Sequence, residues 1–545
     1  MKQTFKCLFA AFAAMLMVIT ASAQITTSTM NGHVVDNAGA PLAGVAVVAT
    51  HVPSGTVYGV ITNENGRYAV NGMRPGGPYK VEVSCLGYRS VIFTDLTLQL
   101  GEPYSLNANL SEDKEMLSEA LVIAEAASKF AGEKTGAATN ISSSQIASLP
   151  TVSRSIEDLA ALSPYSGAKE MSFGGGDGRS SNFTVDGANF NNNFGLNSGL
   201  PGGTPISIDA IDEVQVVVAP FDVRQANFIG GGMNAITKSG TNTLKGSAYM
   251  YHRNENMRGN MVAGQEVAGA RDKDRNTTYG FTLGGPIIKD KLFFFVNFEY
   301  SKTPTIVNRW RASVDGVMDK DGYISRTTLE DMKKVQDYLM KEYGYDTGSY
   351  TNFPADESNM KVLARVDWNI NENHNLAVRY NYTLNRGWNA TNGNSVNAGY
   401  RHKGYDRISQ YSMAFANSMY SQDNLVNSFS LDLNSRFGAN LSNQLLVTYS
   451  KLDDMRGSPS EKFPHIDIMY GYEHLEDGGI KQTLEPYMTA GYELFTWNNG
   501  VHNNAITAKD DITYYTGNHK VTAGISYDYQ LADNSYMRNG TGYYR

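Results

Sequence analysis

From about residue 242 onward, apolar and polar residues alternate with a period of two in one segment after another. In Lys361 to Ile370 the even positions carry Val362, Ala364, Val366, Trp368 and Ile370, and the odd positions include Lys361, Arg365, Asp367 and Asn369. Asn371-Glu372-Asn373 then turns the chain, and Leu376, Val378, Tyr380, Tyr382 and Leu384 alternate with Asn375, Arg379, Asn381 and Thr383. The pattern returns in Phe429, Leu431, Leu433 with Leu445, Val447, Tyr449, and again in Val521, Ala523, Ile525, Tyr527 and Tyr529. A strand places successive side chains on opposite faces. Each segment therefore has one apolar face and one face of Arg, Asp, Asn, Gln and Thr, which lipid would reject and a wet lumen accepts. The segments run about 10 residues, the length a tilted strand needs to cross a bilayer. About ten such strands are legible, which predicts part of an antiparallel transmembrane β-barrel over 242–545.

Turn lengths alternate as well. Gly284 to Lys291 is short and leads into the strand-like LFFFVNFEY, whereas Ser301 to Met360 is a long excursion. Its pattern predicts a helix over Leu329 to Tyr343, capped by Thr327 or Thr328. Short inner turns and long outer loops belong to outer-membrane barrels. Composition agrees: 53 Gly and 33 Tyr against 4 Trp suit turn-rich β structure, not a disordered chain.

The N-terminus sets the compartment. Lys2 and Lys6 precede an apolar run from Leu8 to Thr20, and Ala21-Ser22-Ala23 offers a small-x-small cleavage site. This reads as a secretory signal peptide over 1–23, cut between Ala23 and Gln24. Its loss removes two Lys and no acid, so the mature charge is 44 − 54 = −10. That balance gives no basic field for nucleic acid. The mature chain keeps only Cys85 and forms no internal disulfide. N-terminal sequencing of the membrane-fraction protein should return Gln24 first, and an intact Met1 would overturn this cleavage.

Between Thr29 and Leu110 short β-rich runs alternate with turns such as Asp36-Asn37-Ala38-Gly39 and Asn63-Glu64-Asn65-Gly66, the pattern of a small β-sandwich over 24–110. The strings GHVVDNAGAPLAGVAVVA, TNENGRYAV and YKVEVSCLGYRS resemble the carboxypeptidase-regulatory-like, transthyretin-like domain. That resemblance implies no catalytic residues.

A linker over 111–129 follows. Within it Leu117, Ser118, Glu119, Ala120, Leu121, Val122, Ile123, Ala124 and Glu125 form an isolated β-prone stretch. A lone strand needs a partner for its backbone, either in its own fold or on a second protein by strand addition. Its position and pattern resemble the TonB box of TonB-dependent receptors. The region 130–241 opens with a short helical or turn-rich part, Ser144 to Leu162. GGGDGRSSNFTVDGANF and IDAIDEVQVVVAPFDVRQANFIGGGMNAITKSG then resemble that family's plug domain, an α+β unit. The resemblance falls on Asp186-Gly187, on Gly230, Gly231 and Gly232, and on Asn234, Thr237 and Lys238 within Asn234 to Gly240. Three glycines in a row let backbones pack closely where a globule must fit inside a barrel. The family's barrels have about 22 strands, which implies that this chain covers about half of one.

Catalytic and metal motifs are missing from the sequence. No two of the nine His stand at metal-ligand spacing, and there is no G-x-S-x-G elbow. Gly232 to Ser239 misses a phosphate loop because Thr237 stands where its second Gly belongs. Asp319 to Ser325 mimics the middle of a calcium loop, but Val317 and Thr328 stand where anchoring carboxylates belong. The expected protein is a mainly β, non-enzymatic receptor in outer-membrane lipid without a cofactor or metal. The resemblance implies as partners a TonB-type energy-transducing protein, an extracellular oligosaccharide, peptide or chelate, and a surface lipoprotein. The other readings are a surface adhesin built of sandwiches, which predicts repeated dry-core domains, and a secreted peptidase, which lacks its catalytic residues.

Overall fold

The computed structural model describes residues 25–112, 121–124, 137–149, 151, 154–167, 171–191, 205–220, 222–225, 228–257, 259, 261–262, 264–266, 275–351, 353–395, 406–482, 485–517 and 519–545. The signal segment with Ala23 and Gln24, and Leu117 to Ala120, lie outside them.

Two sheets form the N-terminal sandwich. One orders β4 (Arg67–Met73), β1 (Ser28–Asp36) and β7 (Pro103–Ser105), with β8 (Ala108–Leu110) also on β1. The other orders β3 (Thr56–Ile61), β2 (Ala46–His51), β5 (Gly76–Ser84), β6 (Val91–Leu98) and β9 (Leu121–Ala124). Alternate residues face inward, so Val34, Val47, Ala49, Val70, Tyr79, Val81 and Val83 are fully buried. Gly32 is required where β1 meets the neighbouring chain, since a Cβ there would stand 1.8 Å from the Leu106 carbonyl oxygen. Cys85 lies half-buried one residue past β5.

The next unit is a five-stranded sheet in the order β10 (Ala137–Ser142), β13 (Ile211–Val218), β14 (Gly232–Thr237), β11 (Asn182–Val185) and β12 (Ala188–Asn189). Two short helices, α1 (Ser143–Ser148) and α2 (Ile156–Ala160), open it, in line with the turn-rich part read from sequence. Ser142 and Ser155 cap them with capping boxes. Every residue of β11 and β14 is buried, as expected of strands covered on both faces. The core of this unit, with Ile156, Leu159, Phe173, Phe190 and Val214, continues into Phe295, Leu363, Val426 and Leu452 of the long strands around it.

Those long strands form one nine-stranded antiparallel meander: Lys245–Arg253, Asn276–Ile288, Leu292–Ile306, Pro354–Asn371, His374–Asn389, Tyr420–Phe437, Leu441–Gly457, Gly500–Thr516 and His519–Ser535. Among the described residues the count is nine where the alternation suggested about ten. Short strands inside the loops, such as Pro486–Ala490, carry the same period, and period alone does not separate them from wall strands. The longest wall strands reach 18 residues, well beyond the expected ten, because they continue past the hydrocarbon into the loops.

The faces of this wall are inverted relative to a soluble sheet. Arg365 is 7% exposed and its neighbour Val366 40%; Asp367 is 2% exposed and Trp368 41%. Phe429, Tyr449, Ile506, Ile525 and Tyr527 also point outward, while Asn381, Ser430, Asp432 and Thr448 are buried. Short connections at 289–291, 372–373 and 438–440, and between Thr516 and His519, mark one rim, and long loops the other. The loop helix α3 (Leu329–Tyr343) has the predicted bounds. Of the two candidate caps it uses Thr328, whose Oγ1 accepts the Asp331 N–H at 3.1 Å, and it ends at Gly344 with φ +66°. The calcium-like loop is an Asx turn: Asp319 Oδ1 accepts the N–H groups of Asp321 and Gly322, each at 3.0 Å.

Candidate functional site: the seat of the inner sheet

Asp186 and Gly187 make the tight turn between β11 and β12, with φ of +50° and +82°. This aims the Asp186 carboxylate at the end of β14. It accepts the Thr237 N–H at 3.1 Å and the Thr237 hydroxyl at 2.7 Å. Two wall arginines meet it there. Arg365 donates to both oxygens of Asp367 at 2.9 and 2.8 Å, and to the Thr237 hydroxyl at 3.2 Å. Arg379 lies 3.4 Å from Asp186 and 3.8 Å from Asp432. From the sandwich, Arg74 comes within 3.4 Å of Asp367, and Thr26 donates to Asp432 at 2.6 Å. All three units of the molecule thus share one buried charge network. Among the described residues Nε and Nη1 of Arg379 have no hydrogen-bond partner, and a cavity of about 60 Å³ adjoins them. The joint is therefore partly ionic, beside the apolar contacts that the inner unit makes with Phe295, Leu363, Val426 and Leu452.

A second anchor sits further along the wall. Glu299 holds Lys361 at 3.0 Å, Ser207 at 2.9 Å and Tyr249 at 3.0 Å. Arg154 of the inner unit approaches Glu299 at 3.7 Å, pairs with Asp209, and lies 4.0 Å over the Tyr251 ring.

The glycine run fits its crowded position. A Cβ on Gly231 would meet Phe173 Cβ at 2.5 Å, and one on Gly230, whose φ is +111°, would meet the Phe173 carbonyl at 2.9 Å. A Cβ on Gly232 would press on the Phe228 ring at 3.1 Å. Asn234 accepts from Thr184 at 3.0 Å and donates to the Ile25 carbonyl. The Lys238 N–H donates to Ala210 at 2.8 Å. The structure thus brings Asp186 and Thr237 into one contact and places Gly187, Gly230, Gly231, Gly232, Asn234 and Lys238 around it. Sequence reading placed Lys361, Arg365, Asp367 and Arg379 on the lumen face without assigning them a role, and did not single out Arg74, Glu299 or Asp432. One signal was available: opposite charges two residues apart on one strand face, as in Arg365–Asp367 and Lys509–Asp511.

The sandwich docks against the short-turn rim. The Asn242 N–H donates to the Pro53 carbonyl at 2.8 Å, Asn369 to Thr56 at 3.0 Å, Asn71 to Ser442 at 2.8 Å and Asn63 to the Gly517 carbonyl at 3.0 Å. It is also latched to the inner sheet through the peptide at Leu100. The Leu100 N–H donates to Glu213 at 3.0 Å, and its carbonyl accepts from Gln215 at 2.7 Å and Asn140 at 2.9 Å. Burial pushes the Glu213 carboxyl up to about 8, against the downward pull of the bonds from Leu100 and Asn140. A raised carboxyl contributes stability below its unfolded value of 4.5, and this is lost as pH rises through about 8. Thermal unfolding at pH 5, 7 and 9 should show this loss, and Glu213→Gln should flatten it. An equal pH slope in that variant would contradict the latch.

Strand 121–124 of the candidate TonB box pairs parallel with β6, as Val91–Leu121, Ile92–Val122, Phe93–Ile123 and Thr94–Ala124.

Comparison with known proteins follows this geometry. Residues 236–545 match the outer membrane beta barrel domain model, and residues 29–111 match the carboxypeptidase regulatory-like domain. The TonB-dependent transporter Oar of Myxococcus xanthus is 27% identical over 380 residues, covering 66% of this chain and 33% of that protein. This chain therefore spans about a third of the length of that curated relative. Similar solved structures include the outer membrane transporter YddB of Escherichia coli, with TM-score 0.49 and 13% identity over 73% of this chain and 48% of that one. The siderophore receptor PirA of Acinetobacter baumannii shows TM-score 0.42 and 13% identity over the same shares. The chain belongs to the outer membrane beta barrel domain family, carries an N-terminal carboxypeptidase regulatory-like domain, and has its place in the outer membrane.

Proposed function

We propose that this chain belongs to a TonB-dependent transporter that binds an extracellular nutrient and releases it to the periplasm, using energy from the inner membrane. The observation that carries this is a folded inner sheet seated inside an inverted wall by the charge network of Asp186, Thr237, Arg365, Arg379 and Asp432. The inner unit fills the lumen side of the wall, and outward side chains such as Trp368 and Phe429 are matched to lipid. The outer membrane has no ATP and no ion gradient of its own, so work to open the pore must come from a partner. We assign that partner as a TonB-type protein, its handle as Leu117 to Glu125, and 130–241 as the plug. The ligand class is an oligosaccharide, a peptide or a metal chelate. An open cleft of about 810 Å³ among the long loops, lined by Tyr338, Tyr343, Phe463, Ile466 and Met488, is a surface on which such a ligand can first rest. The receptor transports and does not catalyse. A surface adhesin would keep its polar strand faces in water, whereas here they close on another domain.

In the full-length receptor, Val122→Pro removes a backbone donor and fixes φ within the handle. Uptake should be lost while surface binding of the same nutrient stays. Uptake that survives both this change and deletion of Leu117 to Glu125 would sink the handle assignment.

A further inference from the structure

Strand β9 lies on the outer side of β6, at the end of the order β3-β2-β5-β6-β9. Among the described residues it is paired with β6 alone. β6 itself is firmly placed, with antiparallel β5 on its other side and Val91 and Phe93 buried in the sandwich core. A strand's backbone groups point alternately to its two sides, so pairing with β6 uses one edge of β9, and among the described residues no strand pairs with the other. A four-residue stretch that would cost conformational entropy to extend is already extended here.

We propose that the sandwich is a template: it holds β9 straight and presents its outer edge, so that a strand of the partner adds as the next member of the sheet without displacing β9. This rests on reading Leu117 to Glu125 as the handle for a TonB-type protein. The sequence also indicates what the partner edge carries. Glu112, Asp113, Glu115, Glu119 and Glu125 surround or interleave the stretch against a single Lys114, which fits a partner strand flanked by Lys or Arg.

The placement gives the pull a short route. β6 ends at Leu98, and two residues later Leu100 is gripped by Glu213, Gln215 and Asn140 of β13 and β10. Force on β9 therefore reaches the plug sheet through the β6 pairing and the Leu100 latch. In this arrangement the sandwich is a coupler between handle and plug.

The test uses the full-length receptor in detergent and the purified periplasmic domain of the TonB-type protein. Hydrogen exchange at residues 91–98 is compared with and without that domain. Templating predicts that protection at 91–94 is kept on binding while protection at 121–124 rises. Loss of protection at 91–94 would mean that the partner strips β9 off β6, and would overturn the proposal. In a second arm, residues 25–110 are deleted from a receptor verified as heat-modifiable in the outer membrane. Affinity should then fall about ten-fold, as pre-organisation is lost. Equal or tighter binding without the sandwich also overturns the template. If neither receptor binds the domain, the handle reading itself has failed.

Discussion

Asp186→Ala should unseat the plug, at a cost of about 3–5 kcal/mol, the range for removing one partner of a buried ion pair. The change leaves Arg379 facing only Asp432, 3.8 Å away, and strips the Thr237 N–H and hydroxyl of their acceptor. Amide exchange along β14 reads the effect directly: protection should collapse there while the wall strands stay protected. Asp186→Asn, which keeps an acceptor of similar shape, should cost less. Unchanged β14 protection in Asp186→Ala would show that the network does not hold the plug.

The second large effect lies one residue from that network. Val366→Arg places a cation on the outward face of the strand Pro354–Asn371, where a charge near the bilayer midplane costs about 2–4 kcal/mol. Receptor recovered in the outer membrane should fall sharply. A conservative change on the same face, Val366→Leu, should leave yield unchanged. Equal yields for the arginine and leucine variants would argue that Val366 does not face lipid.

Much of this was legible from residues alone, and the reason is physical. Lipid demands an apolar side chain at every second position, so Val362 to Ile370 announce both a strand and its outer face. Helix α3 was equally legible, since Thr328 and Gly344 are local signals that need no tertiary context. The plug seat was not. Asp186 meets Arg379 across 193 positions of chain, 379 − 186, and the contact depends on the strand register and on how the plug turns inside the wall. Nothing local to either residue encodes that. The docking of the sandwich was also hidden, because it uses single Asn and Thr side chains, Asn71, Asn369 and Thr56, that look like ordinary turn and strand residues. The stretch Leu117 to Glu125 left two partners open, and its residues Leu121–Ala124 pair with β6 of their own fold.

The account stands or falls on the inverted wall. In a Cys85→Ser background, single cysteines at each position from Lys361 to Ile370 can be spin-labelled in native outer membranes and exposed to a lipid-dissolved relaxing agent. The prediction is a two-residue period: strong relaxation at 362, 364, 366, 368 and 370, and weak relaxation at 361, 363, 365, 367 and 369. A flat profile, or one with the odd positions in lipid, would contradict it.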